Sequence, residues 1–331
     1  MADISILGAG NFGTTLALLL NDKGHKVKLW EFFPERAERL KKERENKEFL
    51  KGFTIPASVY ITNELEEAVS GSELVILSLR CQVFRDVMKK LSGMVKDAIL
   101  LSVSKGIELR SLKRMSKIME EESKSSKTAV LSGPCIANEV ARKVPTTVVV
   151  ASEDEKVSKK IQDVFFTPSF RAYTNGDVIG VELGGALKNI IAIAAGICDG
   201  LQTGANTKGA LMTRGLAEIT RMGVAMGAKP TTFAGLSGIG DLITTSFSKH
   251  SRNRFVGEEI GKGRKLKEIL KGMIMVAEGV DTTKAALKLA KKYQVELPIA
   301  EQVYKILFKN KSSQDAISDL MMRKPKAEVW S

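Results

Sequence analysis

Lys188 and Asn189 interrupt an otherwise apolar stretch, VELGGALKNIIAIAAGICDG, that runs from Val181 to Gly200. At helical spacing Lys188 shares a face with Val181, Gly184, Gly185, Ala192 and Ala195, a nearly flat surface over which another body could approach the ammonium closely. Lysine is seldom buried without a partner, so two readings stand: an ammonium that snorkels outward, or one held in a site where it moves a proton. Lys105 closes the run AILLSVSKG, at the expected end of a strand. Ligands gather at such ends in open parallel sheets; the alternative is a solvated loop lysine. Asp241 follows a glycine-rich turn containing Gly235, Gly238 and Gly240. It reads either as a helix N-cap or as a carboxylate that orients a lysine and tunes its proton affinity. Ser251, Arg252, Asn253 and Arg254 place donors at consecutive positions, a set suited to phosphate, whether of a small substrate or of a nucleic acid.

The sequence contains only two histidines, His25 and His250, leaving almost no material for a histidine metal site or a histidine-centred triad. A general acid or base must therefore be lysine, aspartate or glutamate. Cys81, Cys135 and Cys198 lie far apart without a CxxC pair, which fits neither a disulfide framework nor a zinc site, and no metal is expected.

The first element able to position such groups is at the N-terminus. Ile4 to Leu7 reads as a strand, GAGNFG follows at once, an apolar helix runs to Gly24, and KVKLW forms a second strand ending at Glu31. Strand, glycine turn, helix, strand and acid is the context that gives GxGxxG its meaning. Gly8 permits the turn, Gly10 lets the backbone approach a pyrophosphate, and Gly13 lets the helix pack on the sheet. The helix N-terminus offers unpaired N–H groups to the diphosphate. Glu31 can accept hydrogen bonds from a ribose 2′-hydroxyl and repel a 2′-phosphate, which leans the cofactor toward NAD. Arg36 and Arg39 on the next helix would soften that preference, so NADP stays open.

Strands and helices alternate up to about Asp177: Arg36 to Gly52 as a charged helix and loop, then Ser58–Thr62, Glu73–Leu79 and the strand running to Lys105 and Gly106. LRSLKRMSKIMEE reads as one amphipathic helix, and TAVLSGP, PTTVVVAS and SFRAYTN as the remaining extended pieces. Beyond Asp177 the pattern is helical apart from the glycine-rich interruption. The expected fold is an α/β dinucleotide-binding domain with a mostly parallel sheet, residues 1–177, followed by an all-α substrate-binding and catalytic domain, residues 178–331.

The chain has 331 residues, and 51 basic against 38 acidic residues give a net charge of +13. Its lysines are interleaved with acids, as in KKERENKEFLKG, a pattern of solvated helix faces rather than a stripe that tracks nucleic acid. An anionic small substrate is therefore expected in place of a nucleic-acid partner. No targeting segment precedes the first apolar run, and polar residues interrupt the one long apolar stretch too often for lipid; the expectation is a cytoplasmic protein without a transmembrane segment.

With SVSKG, LSGP, ELGGALKN, LSGIGDL and SRNR in order behind GAGNFG, the chain resembles the soluble, bacterial-type NAD(P)-dependent glycerol-3-phosphate dehydrogenases from its first strand to about Glu278. The resemblance implies a Rossmann-like domain, a helical domain like that of 6-phosphogluconate dehydrogenase, and a homodimer, as in many family members. It implies interconversion of dihydroxyacetone phosphate and sn-glycerol 3-phosphate, feeding phospholipid synthesis. By motif, Lys188 corresponds to the catalytic acid/base, with Lys105 and Asp241 around it. Gly133 and Cys135 correspond to positions flanking the glycerophosphate. Ser251, Arg252 and Asn253 correspond to substrate contacts, with Arg252 also reaching cofactor. Asn11, Phe12, Ala137, Val276 and Glu278 correspond to cofactor contacts, beside the glycines and Lys105. Where the family commonly has serine this chain has Cys135, and where an NADP-favouring arginine often follows the second strand it has Phe32. Rival readings are a two-domain reductase of a β-hydroxyacid or ketopantoate, and a nucleotide-sensing or nucleic-acid-binding protein.

Overall fold

A computed structural model describes residues 1–123, 125, 127–325 and 327–328. The first half builds one sheet from β1 (Asp3–Leu7), β2 (Lys26–Trp30), β5 (Tyr60–Thr62), β6 (Leu74–Leu77), β7 (Ile99–Ser102), β8 (Thr128–Ser132), β9 (Thr146–Ala151) and β10 (Phe170–Asn175). Their order is β10-β9-β8-β7-β6-β1-β2-β5. Strands β6 and β7 read LVIL and ILLS and are buried throughout, as strands covered on both faces must be. All pairings are parallel except β8 with β9, so the final two strands run against the other six. From β1 the chain moves outward through β2 to β5, then returns to lay β6 on the other side of β1. The crevice of the sheet opens at this reversal, beyond the carboxyl ends of β1 and β6.

The structure departs from the sequence reading at three places. The Arg36–Gly52 region contains, besides the helix Pro34–Glu43, a hairpin of β3 (Glu45–Asn46) and β4 (Leu50–Thr54). β3 is only two residues long, and β4, LKGFT, lacks strand alternation and contains Gly52 at φ 89°. Strand β7 stops at Ser102, so Lys105 stands three residues past the strand in the following loop. The helix expected from Leu109 begins only at Met115. Leu112 takes a left-handed conformation (φ 61°), and the preceding turn is held by Glu108, which accepts from both Arg85 and Ser111.

After β10 every regular element among the described residues is helical. Asp177 caps the helix Val178–Gly200 by accepting from the Gly180 N–H at 2.9 Å, and its second oxygen takes the Lys229 N–H and the Thr232 hydroxyl. Such a cap is worth about 1 kcal/mol and starts the helix directly behind the sheet without a linker. Residues 183–198 of this helix are buried without a break. It is long and apolar enough to cross a membrane, yet it lies inside the protein, wrapped by helices Gly204–Ala225, Asp241–Phe247, Arg252–Gly261 and Glu278–Tyr293. Two apolar cores cover the two faces of the sheet and a third surrounds this helix.

Candidate active site

Lys188 sits midway along the central helix and is 4% exposed. It does not snorkel. Its ammonium donates to Asp241 Oδ1 at 2.5 Å and to Thr245 Oγ1 at 2.5 Å. Lys105 reaches the same carboxylate from the loop after β7, donating to Asp241 Oδ2 at 2.7 Å, to the Gly133 carbonyl at 2.9 Å and to Cys135 Sγ at 3.5 Å. An ammonium has three N–H bonds. All three of Lys105 are engaged, whereas Lys188 has one beyond those aimed at Asp241 and Thr245 among the described residues.

Asp241 is not a helix cap. Residues Leu236–Gly240 form one π-helical turn that runs straight into the helix Asp241–Phe247, and Gly240 takes the cap position without a side-chain bond. The carboxylate is thereby turned inward between the two lysines. π-Turns are uncommon and concentrate at functional sites. Thr245, one helical turn on, donates to Asp241 Oδ1 at 3.2 Å.

One carboxylate cannot neutralise two ammonium groups. Burial lowers the pKa of Lys188, Lys105 adds to this, and Asp241 opposes it; the net result is a value held down to about 8. Burial also pulls on Lys105, but Asp241 and its other partners outweigh that and raise it. For Asp241, burial would raise the pKa, and the two lysines overcome it and hold it below the ordinary carboxylate value. The lysine deepest in the protein is thus the one that can give up its proton near neutral pH.

Asn189, on the neighbouring face, heads a chain of amides. It donates to the Lys105 carbonyl at 3.2 Å, accepts from Asn253 Nδ2 at 2.9 Å, and Asn253 Oδ1 in turn takes the Gly279 N–H at 2.9 Å. Four segments are fastened around the lysines by these bonds. Ser251 caps the helix Arg252–Gly261 by accepting from Arg254 N–H, and Arg254 pairs with Asp199. Ser251 and Asn253 keep donors beyond these bonds, and the remaining guanidinium of the motif is that of Arg252. Its Nε is buried without a hydrogen-bond partner among the described residues, and burial lowers its pKa to about 10. Cys135 is partly buried beside Lys105, and burial raises its thiol pKa.

The cofactor motif lies at the reversal of the sheet. Gly8 has φ +109°, and a Cβ there would fall 2.4 Å from the Ser78 carbonyl oxygen. A Cβ on Gly13 would fall 1.9 Å from Gly8 O, so helix and turn touch backbone to backbone. At Gly10 a Cβ would meet nothing within 4 Å; glycine there keeps an outer surface open. The helix Asn11–Asp22 has no side-chain cap, and Asn11 Oδ1 is buried without a partner among the described residues. An open glycine and an uncapped helix start, with its unpaired N–H groups, fit a bound diphosphate. Phe12 packs partly buried behind the turn, and the Ala137 carbonyl accepts from Thr15 on the same helix at 3.4 Å. Glu31 is buried, accepts the Phe33 N–H at 3.2 Å and lies 3.9 Å from Arg36; burial raises its pKa, opposed by these two partners. Glu278 begins a helix of the second half, just after Val276, and accepts the Cys81 N–H at 3.3 Å, joining that helix to the loop behind β6.

The family follows from two matches that divide the chain between them. Residues 3–158 match the family described as NAD-dependent glycerol-3-phosphate dehydrogenase N-terminus, and residues 177–318 match its C-terminus. The chain belongs to the NAD-dependent glycerol-3-phosphate dehydrogenase family. Among its relatives is the glycerol-3-phosphate dehydrogenase NAD(P)+ of Citrifermentans bemidjiense, 51% identical over 329 residues and covering 98% of each chain. That of Syntrophotalea carbinolica is 50% identical, covering 99% of each. The crystal structure of glycerol-3-phosphate dehydrogenase from Coxiella burnetii superposes with a TM-score of 0.93 at 34% identity, over 97% of this chain and 99% of that one. A ketopantoate reductase from Ralstonia eutropha, at 13% identity and TM-score 0.61, shares the fold alone. Within this family fold, Lys188, Lys105, Asp241, Gly133 and Cys135 come together as one cluster. Thr245 escaped the sequence reading, although its place four residues after Asp241 was a usable signal. Asn189, polar within an apolar stretch, carries no sequence signal of its bonds to Lys105 and Asn253.

Proposed function

We propose that this chain interconverts dihydroxyacetone phosphate and sn-glycerol 3-phosphate, with NAD favoured over NADP. The observation that carries the chemistry is the buried Lys188 ammonium, anchored through two N–H bonds to Asp241 and Thr245 with a third left for a substrate oxygen. In ketone reduction Lys188 gives a proton to the C2 oxygen; in alcohol oxidation it takes that proton back. Lys105 keeps its charge throughout and lowers the energy of the oxygen as negative charge develops on it. Asp241 holds both ammonium groups in place. Arg252 binds the phosphate, with Ser251 and Asn253 fixing the helix start that presents it, so that binding at a remote group orients C2. Gly133 and Cys135 flank the substrate while holding Lys105.

Gly8, Gly10, Gly13, Asn11 and Phe12 would hold the dinucleotide diphosphate, Glu31 its adenosine ribose, and Ala137, Val276 and Glu278 the remaining wall, with Lys105 and Arg252 at the substrate end. When bound, the nicotinamide supplies hydride to C2 or takes it up. In this reading residues 1–177 bind the cofactor and residues 178–331 carry the substrate and most of the catalytic groups, in a cytoplasmic homodimer that feeds phospholipid synthesis.

The test is turnover of dihydroxyacetone phosphate with NADH and with NADPH, together with Lys188→Ala. Oxidation of NADH with a higher kcat/KM than NADPH is expected, and Lys188→Ala should lose turnover while still binding NADH. Near-normal turnover in that variant would remove Lys188 from the role.

A further inference from the structure

Arg36 and Arg39 are the two arginines of the helix after β2 and would be the obvious partners of a 2′-phosphate. Neither is at liberty. Glu48 Oε2 lies 3.0 Å from Arg39 Nη2 and 3.6 Å from Arg36 Nε, while Arg36 Nε also lies 3.9 Å from Glu31 Oε1. The Arg36 guanidinium is further held against two rings, 4.5 Å from the centroid of Phe49 and 5.5 Å from that of Phe33.

Glu48 stands in the turn of the β3–β4 hairpin, which is built into the cofactor end of the sheet. Asn46, buried in that hairpin, donates to the Ala9 carbonyl inside the glycine turn and to Thr14 Oγ1, both at 2.8 Å. Its Oδ1 accepts the Phe49 N–H at 3.3 Å. The hairpin is therefore fixed to the diphosphate loop, and Glu48 is fixed with it beside Glu31. Arginine is the residue best shaped to grip phosphate, but an arginine already paired with a carboxylate must first leave it. A 2′-phosphate arriving here would meet two carboxylates and two cations that those carboxylates already occupy.

We propose that Glu48 is a specificity-determining residue: it withholds Arg36 and Arg39 from a 2′-phosphate and so sets the preference for NAD jointly with Glu31. This rests on the dinucleotide reading given above. Glu48→Gln keeps the size of the side chain, removes its charge and loosens both arginines. The variant changes only a partly exposed turn residue, so the fold should survive.

Binding is measured by equilibrium titration of the full-length chain with NADH, NADPH, ADP and 2′,5′-ADP, alongside kcat/KM for each reduced cofactor. Glu48→Gln should tighten NADPH and 2′,5′-ADP on the order of tenfold, and leave NADH and ADP within about twofold, because only the phosphate senses the freed charge. The gain should shrink as salt is raised. Adding Arg36→Met and Arg39→Met to Glu48→Gln should abolish it. Unchanged NADPH and 2′,5′-ADP affinity in Glu48→Gln, with NADH bound normally, would overturn the proposal, as would a gain that survives the arginine substitutions. Failure of the unsubstituted chain to bind either dinucleotide would overturn the reading beneath it as well.

Discussion

Replacing Asp241 with asparagine separates the two lysines by role. Its carboxylate is 2% exposed and lies 2.5 Å from Lys188 Nζ and 2.7 Å from Lys105 Nζ. Asparagine keeps the shape but removes the only anion facing both ammonium groups among the described residues. Leaving a buried charge without its partner costs roughly 3–5 kcal/mol, and the protein can relieve most of that by deprotonating one lysine. Lys188 is the one to yield, since burial already holds it at about 8 while Lys105 is raised. Loss of an adjacent opposite charge lowers a lysine pKa by roughly 1 to 3 pH units. The sign then follows. Reduction needs protonated Lys188, so kcat/KM for dihydroxyacetone phosphate should fall in the native chain as pH rises through about 8. In Asp241→Asn the same descent should come at lower pH. Oxidation needs the neutral amine, so its rising limb should move to lower pH as well. Initial rates in both directions, followed by the absorbance of the reduced nicotinamide, give both curves. An inflection that stays near 8 or moves upward would refute the electrostatic account of the site, even if the variant were slow.

Two further outcomes follow from single residues. Arg252→Ala should raise KM for both phosphate substrates roughly 10- to 100-fold with a smaller effect on kcat, since a charge-assisted anchor is lost far from C2; unchanged KM would put the phosphate elsewhere. Glu218 is buried where its oxygens accept the Ile299 N–H at 2.6 Å and the Ala300 N–H at 3.3 Å, at the start of the helix Pro298–Lys309. Burial raises its pKa from 4.5 to about 7, so between these values the folded chain keeps a proton that the unfolded chain releases. Its contribution to stability is complete below 4.5 and is lost as pH rises through about 7, a fall on the order of 3 kcal/mol. Glu218→Gln should flatten Tm against pH across that window; an unaltered slope would exclude Glu218 as its source.

The cofactor end was legible because its determinants are local. Glycines at fixed spacing behind a short apolar strand define a turn, a close helix and an open backbone within a few residues. The proton-transfer site was legible only as separate pieces. Lys188 and Asp241 are 53 residues apart and Lys105 and Asp241 are 136 apart, and no periodicity joins them. Asp241 looked like a cap because aspartate after glycine usually is one; the π-turn that turns its carboxylate inward has no signature in residue types. The β3–β4 hairpin, home of Glu48, was hidden too. One strand is two residues long and the other, LKGFT, is broken by Gly52 and shows no apolar stripe, so no pattern in the residue types marks it.

The small residues beside Lys188 invited the wrong occupant. A flat face of glycine and alanine suggested room for a ligand, yet the protein itself fills that room. A Cβ on Gly184 would lie 2.6 Å from the Ser237 carbonyl oxygen, and one on Gly185 would lie 2.5 Å from Ser132 Oγ and 3.6 Å from Lys105 Cγ. Gly184 therefore lets the π-turn close onto the central helix, which brings Asp241 within reach of Lys188. Gly185 lets Ser132 Oγ close onto the same helix, with the Lys105 side chain alongside at ordinary contact distance. A buried ammonium is tolerable only beside an anion, and an anion on a backbone turn can approach a helix only where side chains stay out of the way. Gly184 is thus a condition of the Lys188–Asp241 contact. Space for the substrate must lie on the side to which the third N–H of Lys188 points.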